Sequence, residues 1–470
     1  MKKRQRVIAL LLSTTMVLGM LSGCGGSSDS TTSTTEATTE ATTATTEDSG
    51  DIDWITAEDI SDMPQTTIRY WYYETPERIA LGEEQIERFM ELYPNITVEG
   101  STAAQFSDNE MLMQYVNAGT NSNIHQSVNF EDIWYVSNDL LYPLNNFPDF
   151  EEFYAQFEPS YNYTWTDGNT YSISWYNSSY CMYYNMDILN AAGITEVPTT
   201  YSEYYAMCEA VTDASAKVWA IAPNITDVWW RWGTNALAYY VAAEGNADLV
   251  SDDGVSAAVD TEGGLEMYEF FDTIFDEGWA LIEEYDSDPF LIGQTASTLG
   301  GSDVFKTITT DAASDFNFAT GPMLVPDDSD GEGYSTYTFV RNLCIFDELS
   351  LEDGEEKDRV RRASWEFLKF ILSEEESALD FAATGEMPCY VDSINNPAFT
   401  EVFDSYGDQF IQYVEDSSNG TIVDVNSALI CDIMDPLQKA IISLAYEPEV
   451  TGAEALAEAV EGVNEILAAE

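Results

Sequence analysis

Aromatic side chains crowd two stretches of this chain, and their chemistry is the easiest to place. Tyr161, Tyr163, Trp165, Tyr171, Trp175, Tyr176, Tyr180, Tyr183 and Tyr184 follow one another closely, and Trp229, Trp230 and Trp232 come just after a Pro-Asn-Ile-Thr-Asp stretch. Flat rings of this kind can line a concave small-molecule site, beside a few fixed donors and acceptors. They also fill cores, and Tyr183 and Tyr184, inside a run of β-formers, are read as core. Catalytic machinery is harder to assemble. The chain has one histidine, His125, so a multi-histidine metal site is excluded. Beyond Cys24 the cysteines are Cys181, Cys208, Cys344, Cys389 and Cys431, with no Cys-x-x-Cys spacing. An odd number rules out a complete disulfide framework, and the spacing argues against a zinc or iron–sulfur site, so they read as small buried hydrophobes. With 84 acidic residues, close carboxylate pairs arise everywhere and a paired-carboxylate signal carries no weight. Asp328-Ser329-Asp330-Gly331 resembles a calcium loop, but aligning its glycine puts Pro326 and Tyr337 where Asp and Glu are needed. It reads as a surface loop. No cofactor and no metal is expected.

Any such site needs elements to hold it. Thr67–Tyr73 is rich in β-formers and predicts a first strand. Ile79, Ile86, Phe89, Met90 and Tyr93 recur at helical spacing after Pro76, which predicts a helix over Pro76–Leu92 ended by Pro94. Ile96–Glu99 reads as a second strand, so the opening is a strand–helix–strand unit of the kind that builds parallel sheets. A helix over Asp108–Ala118 and a strand near Gln126–Phe130 follow. Helices are predicted again over Tyr201–Val211, Gly264–Glu277, Asp358–Leu372 and Ala453–Leu467, with short strands between. The class is α/β, and some 420 residues exceed one ordinary core, so two lobes are expected.

The N-terminus sets the compartment. Lys2, Lys3, Arg4 and Arg6 precede an apolar run from Val7 to Leu18, and Leu21-Ser22-Gly23-Cys24 follows. This resembles a bacterial lipoprotein signal peptide over 1–23, cut so that Cys24 becomes a lipid-bearing N-terminus; the run is too short to span a bilayer comfortably. Residues 24–50 are nearly all Gly, Ser, Thr, Ala, Glu and Asp, and read as a disordered tether with a mean reach of about 25–30 Å. The resemblance implies a protein held by lipid, palmitate included, at the outer face of a bacterial cell membrane. Four of the 17 basic residues lie in the signal, which leaves a net charge near −71 on the rest. That excludes nucleic acid as a partner and leaves membrane attachment to the acyl chains. It reads as a solvated acidic surface, with a field for a cationic ligand as the alternative.

A string of phrases carries a second resemblance. Leu140-Leu141-Tyr142-Pro143-Leu144-Asn145, Asp167-Gly168-Asn169-Thr170-Tyr171-Ser172-Ile173-Ser174-Trp175, Tyr183-Tyr184-Asn185-Met186-Asp187-Ile188-Leu189 with Ala192-Gly193-Ile194, Pro198-Thr199-Thr200-Tyr201-Ser202-Glu203, Ala363–Phe370 and Thr384-Gly385-Glu386-Met387-Pro388 occur in one order. They are similar to phrases of the extracellular solute-binding proteins of sugar ABC importers, the group of the maltose-binding proteins. The chain departs at Ser172, Ser174 and Met186, and at Ser302-Asp303-Val304-Phe305 after Gly300-Gly301. The resemblance implies a monomeric, two-lobed, hinged, non-enzymatic protein. It would carry a carbohydrate, an oligosaccharide, to importer membrane subunits; a lipid-anchored carbohydrate hydrolase is the alternative class. It implies lobe one over about 66–174 and 323–386 and lobe two over about 175–322 and 387–470, within a binding region 51–470. It points to a cleft containing Trp71, Tyr72 and Glu74 at the first strand end, and Asn129, Phe130 and Glu131 after the third strand. Trp175, Tyr176 and Asn177 would follow a strand at a lobe crossing, with Trp229, Trp230, Trp232 and Asp303 supplied by lobe two.

Overall fold

The computed structural model describes residues 52–72, 75–102, 109–283, 285–311, 316–327, 335–423 and 427–469. Cys24, the 24–50 tether, Glu74 and the 328–331 loop lie outside the described residues.

Local signals place the first elements. Strand β1 (Thr66–Tyr72) buries Ile68, Tyr70 and Tyr72 on one face. The helix Pro76–Leu92 then starts where Thr75 caps it, its hydroxyl accepting from the Arg78 N–H at 3.3 Å, with Pro76 already holding helical φ. Leu81, Ile86 and Phe89 form its buried stripe. Strand β2 (Ile96–Thr102) returns parallel to β1, with Thr66 opposite Ile96, and β3 (Ile124–Val128) lies on the other side of β1. The helix Asn129–Ser137 begins directly after β3, so the third strand ends two residues sooner than its sequence suggests.

Strand β4 (Ser172–Ser179) runs antiparallel to β8 (Thr336–Ile345), which also pairs antiparallel with β3. The order of the larger sheet is β2-β1-β3-β8-β4-β9, with β9 at Met387–Pro388; the short β10 (Gly420–Thr421) also pairs with β8. A single residue, Tyr180, separates β4 from β5 (Cys181–Asn185), which belongs to a second sheet. That sheet has the order β6-β5-β7, with β6 at Ser297–Gly300 and β7 at Phe318–Gly321. Trp175, Tyr176 and Asn177 therefore sit inside β4 and do not follow it. The reason is a bulge: Ser174 pairs with Asn342 and Tyr176 with Arg341, so Trp175 is an extra residue in the strand. A bulge re-aims the side chains beside it without ending the strand.

Strand alternation sorts the aromatics. Met182 and Tyr184 face a core with Tyr204, Trp232, Tyr239, Phe270 and the helix Ile430–Tyr446. Cys181 and Tyr183 face the other way, toward Phe305, Phe410 and Tyr413. Tyr183 and Tyr184 are fully buried, as expected of core residues. Beside the larger sheet Trp365 lies flat on Phe147 at 4.9 Å, and Phe89 packs edge-on to Phe367. The segment after β9 joins both sides: Phe403 packs on Phe381 at 4.9 Å, while Phe410 packs on Phe305 at 4.9 Å.

The approach of β6 to β4 leaves no room for a side chain. A Cβ at Gly301 would sit 1.9 Å from Ser178 Oγ, which already accepts from the Ser302 N–H at 2.9 Å. We expect Gly301→Ala to destabilise the protein by about 1–3 kcal/mol through overpacking. Adding Ser178→Gly should return part of the loss in thermal melts. An unchanged melting temperature in Gly301→Ala would show that the two segments are not in contact.

Candidate functional site

A cavity of about 560 Å³ opens where the two sheets meet. One wall belongs to the lobe of the larger sheet: Thr75, Glu77 and Arg78 at the start of the first helix, Tyr176 beside the bulge, and Phe339 and Arg341 on β8. Ala383, Thr384 and Glu386 close that wall from the end of the helix Glu374–Thr384. The opposite wall is the helix Ser302–Asp311, which follows β6 and presents Asp303, Lys306, Thr307 and Thr310. Of the residues picked out in the sequence, the cavity brings Tyr176 and Asp303 together.

Arg78 organises the first wall. It is buried, ion-paired with Asp380 at 2.5 Å and with Glu386, and its guanidinium lies over the rings of Trp175 at 4.7 Å and Tyr176 at 4.4 Å. Burial works against its charge, but Asp380, Tyr176 and Glu386 outweigh it and the group stays protonated. Desolvation raises Glu386 to about 7 against the pull of Arg78, and raises Asp380 as well. Trp175 is only 2% exposed, so Arg78 takes the ring face that a ligand was expected to use. Asn177 is likewise occupied: it donates to the Met387 carbonyl at 3.2 Å and tethers β4 to β9. Asp303 is open to the cleft, yet the protein around it desolvates its carboxylate and raises its pKa; Ser178 Oγ donates to it at 3.3 Å.

A second polar group adjoins through Arg341, opposite Val128 in the β3–β8 register. Glu131, in the first turn of the helix Asn129–Ser137, accepts from the Val128 N–H at 3.1 Å and so caps its own helix. Desolvation raises it to about 7, partly offset by Arg341 and by that N–H. Asn129 accepts from Asn342 at 3.0 Å, and Asn342 also donates to Asp132, which takes the Ser172 hydroxyl at 2.6 Å. Phe130 sits in the same turn.

Packing encloses Trp71, Tyr72 and Trp232 and leaves Trp229 and Trp230 partly open. Trp71 is buried, edge-on to Tyr115 at 5.0 Å, in a small core with Tyr135 and Phe346. Tyr72 fills the space above Gly82 and Gly100. Trp232 has no exposed surface and packs with Tyr240 in the second core. Trp229 and Trp230 are half-buried; Trp230 carries the Arg231 guanidinium over its ring at 4.0 Å. Arg231 is lowered by desolvation and drawn to Tyr285 and Tyr180, the latter being the residue at the crossing between the sheets. His125 is a core residue, depressed to about 3 chiefly by burial.

Sequence reasoning missed Arg78, Lys306, Arg341 and Phe339. The one available signal was scarcity: with 13 basic residues after the signal, each has an unusually large electrostatic effect. Two other recesses, of about 660 Å³ beside Asp187 and Phe316 and about 260 Å³ beside Tyr285 and Thr298, contain none of the predicted residues. Among the described residues no cluster of His, Cys, Asp or Glu could hold a metal ion.

Residues 84–406 match a family described as bacterial extracellular solute-binding protein. The chain belongs to that family. No described helix is long and apolar enough to cross a membrane. Among solved structures, this solute-binding protein is similar to the cyclic α-maltosyl-1,6-maltose binding protein of Arthrobacter globiformis, with 20% identity, TM-score 0.71, and 87% of this chain and 100% of that chain covered. It is similar to the sugar-binding protein MalE of Xanthomonas citri, with 18% identity, TM-score 0.69, and 86% and 98% covered. It is also similar to a Listeria monocytogenes ABC substrate-binding protein in complex with cycloalternan, with 18% identity, TM-score 0.67, and 86% and 99% covered. These likenesses establish the two-lobed binding-protein fold. A curated binding protein of Brucella abortus is 24% identical over 164 residues, which span 38% of that relative's length and 35% of this chain.

Glu131 gives a pH test of this part of the solute-binding protein. Its folded pKa of about 7 exceeds the ordinary 4.5, so folding favours the protonated form. The resulting penalty is absent below about pH 4.5, grows toward pH 7 and is complete above it. Glu131→Gln keeps the acceptor for the Val128 N–H and removes the charge. It should match the parent near pH 4 and exceed it in stability by roughly 1–3 kcal/mol at pH 8. Melting curves at the two pH values decide; a difference that does not change with pH would refute the desolvated carboxylate.

Proposed function

We propose that this solute-binding protein delivers a carbohydrate, an oligosaccharide, to an ABC importer from the outer face of the cell membrane. One observation carries the reading: a cavity sized for a few sugar rings is walled by both lobes and combines aromatic surface with hydroxyl partners. Tyr176 and Phe339 offer the rings; Thr75, Thr307, Thr310 and Asp303 offer the polar contacts. The known sugar-binding proteins of the same fold support it. A solute that touches both walls favours the closed arrangement by its difference in affinity for the two states. The lobe division, with crossings near Tyr180, between Gly321 and Thr336, and after β9, belongs to this reading and is supported by the strand order. So do the monomeric state and docking to importer membrane subunits. The hydrolase alternative requires release of reducing ends from oligosaccharides; we expect none.

Trp230 lies outside the lining of this cavity and has Arg231 over one face, but it is half-buried where Trp232 is wholly enclosed, so it is kept as the stacking candidate of lobe two. A thermal-shift screen over maltotriose, cellotriose, xylotriose and related chains should find a stabilising solute, since binding raises stability by RT ln(1 + [L]/Kd). Against that solute, Trp230→Ala should keep the parent's melting temperature and lose about 2–3 kcal/mol of binding. Trp232→Ala should instead lose about 3–5 kcal/mol of stability. Equal affinity of the parent and a folded Trp230→Ala would remove Trp230 from the site.

Anchoring is part of the same proposal and rests on Leu21-Ser22-Gly23-Cys24. Two or more acyl chains on Cys24 give stable attachment at about 0.8 kcal/mol per buried CH₂. Cys24→Ala should release the protein to the medium or leave its signal uncut. Mass spectrometry finding an unmodified mature N-terminus elsewhere would refute the anchor.

A further inference from the structure

The charges around the cavity do not resemble those of the rest of the chain. Acidic residues outnumber basic ones about six to one after the signal, yet the cavity wall carries Arg78, Lys306 and Arg341 against Glu77, Asp303 and Glu386. Arg78 is committed, since it already serves Asp380 and Glu386. Lys306 is different. Its ammonium donates to the Ala382 carbonyl at 3.0 Å and to the Tyr406 hydroxyl at 3.4 Å, and among the described residues no carboxylate lies within ion-pair distance. An ammonium has three donors, so one is left beyond these two contacts. Lys306 stands on the helix after β6, in the wall opposite Arg341 on β8. The cavity thus has a cation on each side of the gap between the lobes.

A cationic solute is poorly served by this arrangement, because here three cations stand beside the three carboxylates, whereas elsewhere the chain offers carboxylates with few cations among them. A neutral sugar needs hydroxyl partners but has no use for opposed positive charges. An oxyanion uses both. The overall negative charge of the protein does not forbid it. At physiological salt the Debye length is about 8 Å, so a group inside the cavity responds to its own walls far more than to the distant surface. Arg341 also interacts with Glu131 and Asp132 behind the wall, and an anion between Lys306 and Arg341 is drawn to both, which ties the charge of the solute to closure.

We propose that the solute is a saccharide bearing an oxyanion, a uronate carboxylate or a sulfate ester, received by Lys306 from one wall and Arg341 from the other. This deepens the carbohydrate reading and rests on it. Asp303, with its raised pKa, then serves sugar hydroxyls on the same wall as Lys306.

The test uses the full mature chain with three probes: trigalacturonate, a sulfated trisaccharide and a neutral galactotriose. Thermal shift and calorimetry should show one of the acidic probes binding at least about tenfold more tightly than the neutral one, the effect of one charge-assisted hydrogen bond. Which acidic probe wins tells carboxylate from sulfate. Lys306→Gln and Arg341→Gln should each weaken that probe about tenfold or more, while Lys306→Arg stays near the parent. Circular dichroism and the melting temperature check that Lys306→Gln, which loses two contacts, still folds; Arg341→Gln gives an independent reading from the other wall. If galactotriose or another neutral chain binds as well as the acidic probes, the acidic solute is refuted and the carbohydrate reading stands. If no saccharide binds, both fall. If both glutamine variants bind the acidic probe like the parent, the two cations are not its receptors and the proposal fails.

Discussion

The larger wall of the cleft depends on one buried guanidinium. Arg78 leaves the first turn of the first helix, passes beneath Trp175 and Tyr176 at the bulge of β4, and ends on Asp380 and Glu386 near the close of a helix some three hundred residues later. Three separate parts of the chain are thereby tied at one point. Burying such a charge is costly, and its partners do little more than offset that cost; its removal would leave two carboxylates buried with no counter-charge. The cluster therefore contributes position more than stability. It fixes the height of Tyr176 and Glu386 in the wall and explains why Trp175, although at the expected place in the chain, is not available to a solute.

The same scarcity of positive charge shapes the rest of the molecule. A late helix, Glu355–Ile371, carries Lys357, Arg359, Arg361, Arg362 and Lys369, a large share of all basic residues, and each engages a carboxylate. Lys357 and Arg361 share Asp347, just after β8, and Lys369 reaches Asp149 near the helix Phe150–Tyr154. Asp347 and Asp149 are lowered despite partial burial because these cations outweigh desolvation. Lys357, Arg361 and Lys369 thus tie this helix to neighbouring parts of its lobe, at Asp347 and at Asp149. Of the other basic residues, Arg78, Lys306 and Arg341 line the cavity, and Arg231 is drawn to Tyr180 at the crossing between the sheets.

Elements whose signals are local were legible in the sequence. The helices Pro76–Leu92 and Tyr201–Val211 have the bounds that the sequence predicts, since each begins at a threonine cap and carries its own apolar stripe. The strand–helix–strand opening and the burial of Tyr183 and Tyr184 follow from patterns of the same kind. The site was legible only where a residue's role is set by its immediate neighbours, as with Asp303 after Gly300-Gly301. Trp71, Trp175 and Trp232 show the limit. The segment of Trp175 does reach the cleft through Tyr176, but for all three residues which face of a ring meets water depends on partners far away in sequence. Arg78 covers Trp175, Tyr115 flanks Trp71, and Tyr240 and the second core enclose Trp232.

The burial of those tryptophans changes what kind of site this is. A groove lined by several bare indoles would hold a sugar chain largely by stacking, with little regard for the groups on its rim. Here Tyr176 and Phe339 are the rings in the wall, both beside arginines, and the other lining groups are threonines, carboxylates and cations. Apolar contact in such a cavity supplies less of the affinity, and directed polar contacts must supply more. Directed contacts are also the more discriminating, because a buried donor or charge left without its partner costs more than a lost patch of apolar surface. A cleft built this way discriminates among solutes more than an indole-lined one. Its selectivity then lies with the residues that stand across the gap from one another, where a poorly matched solute cannot satisfy both walls and does not favour closure.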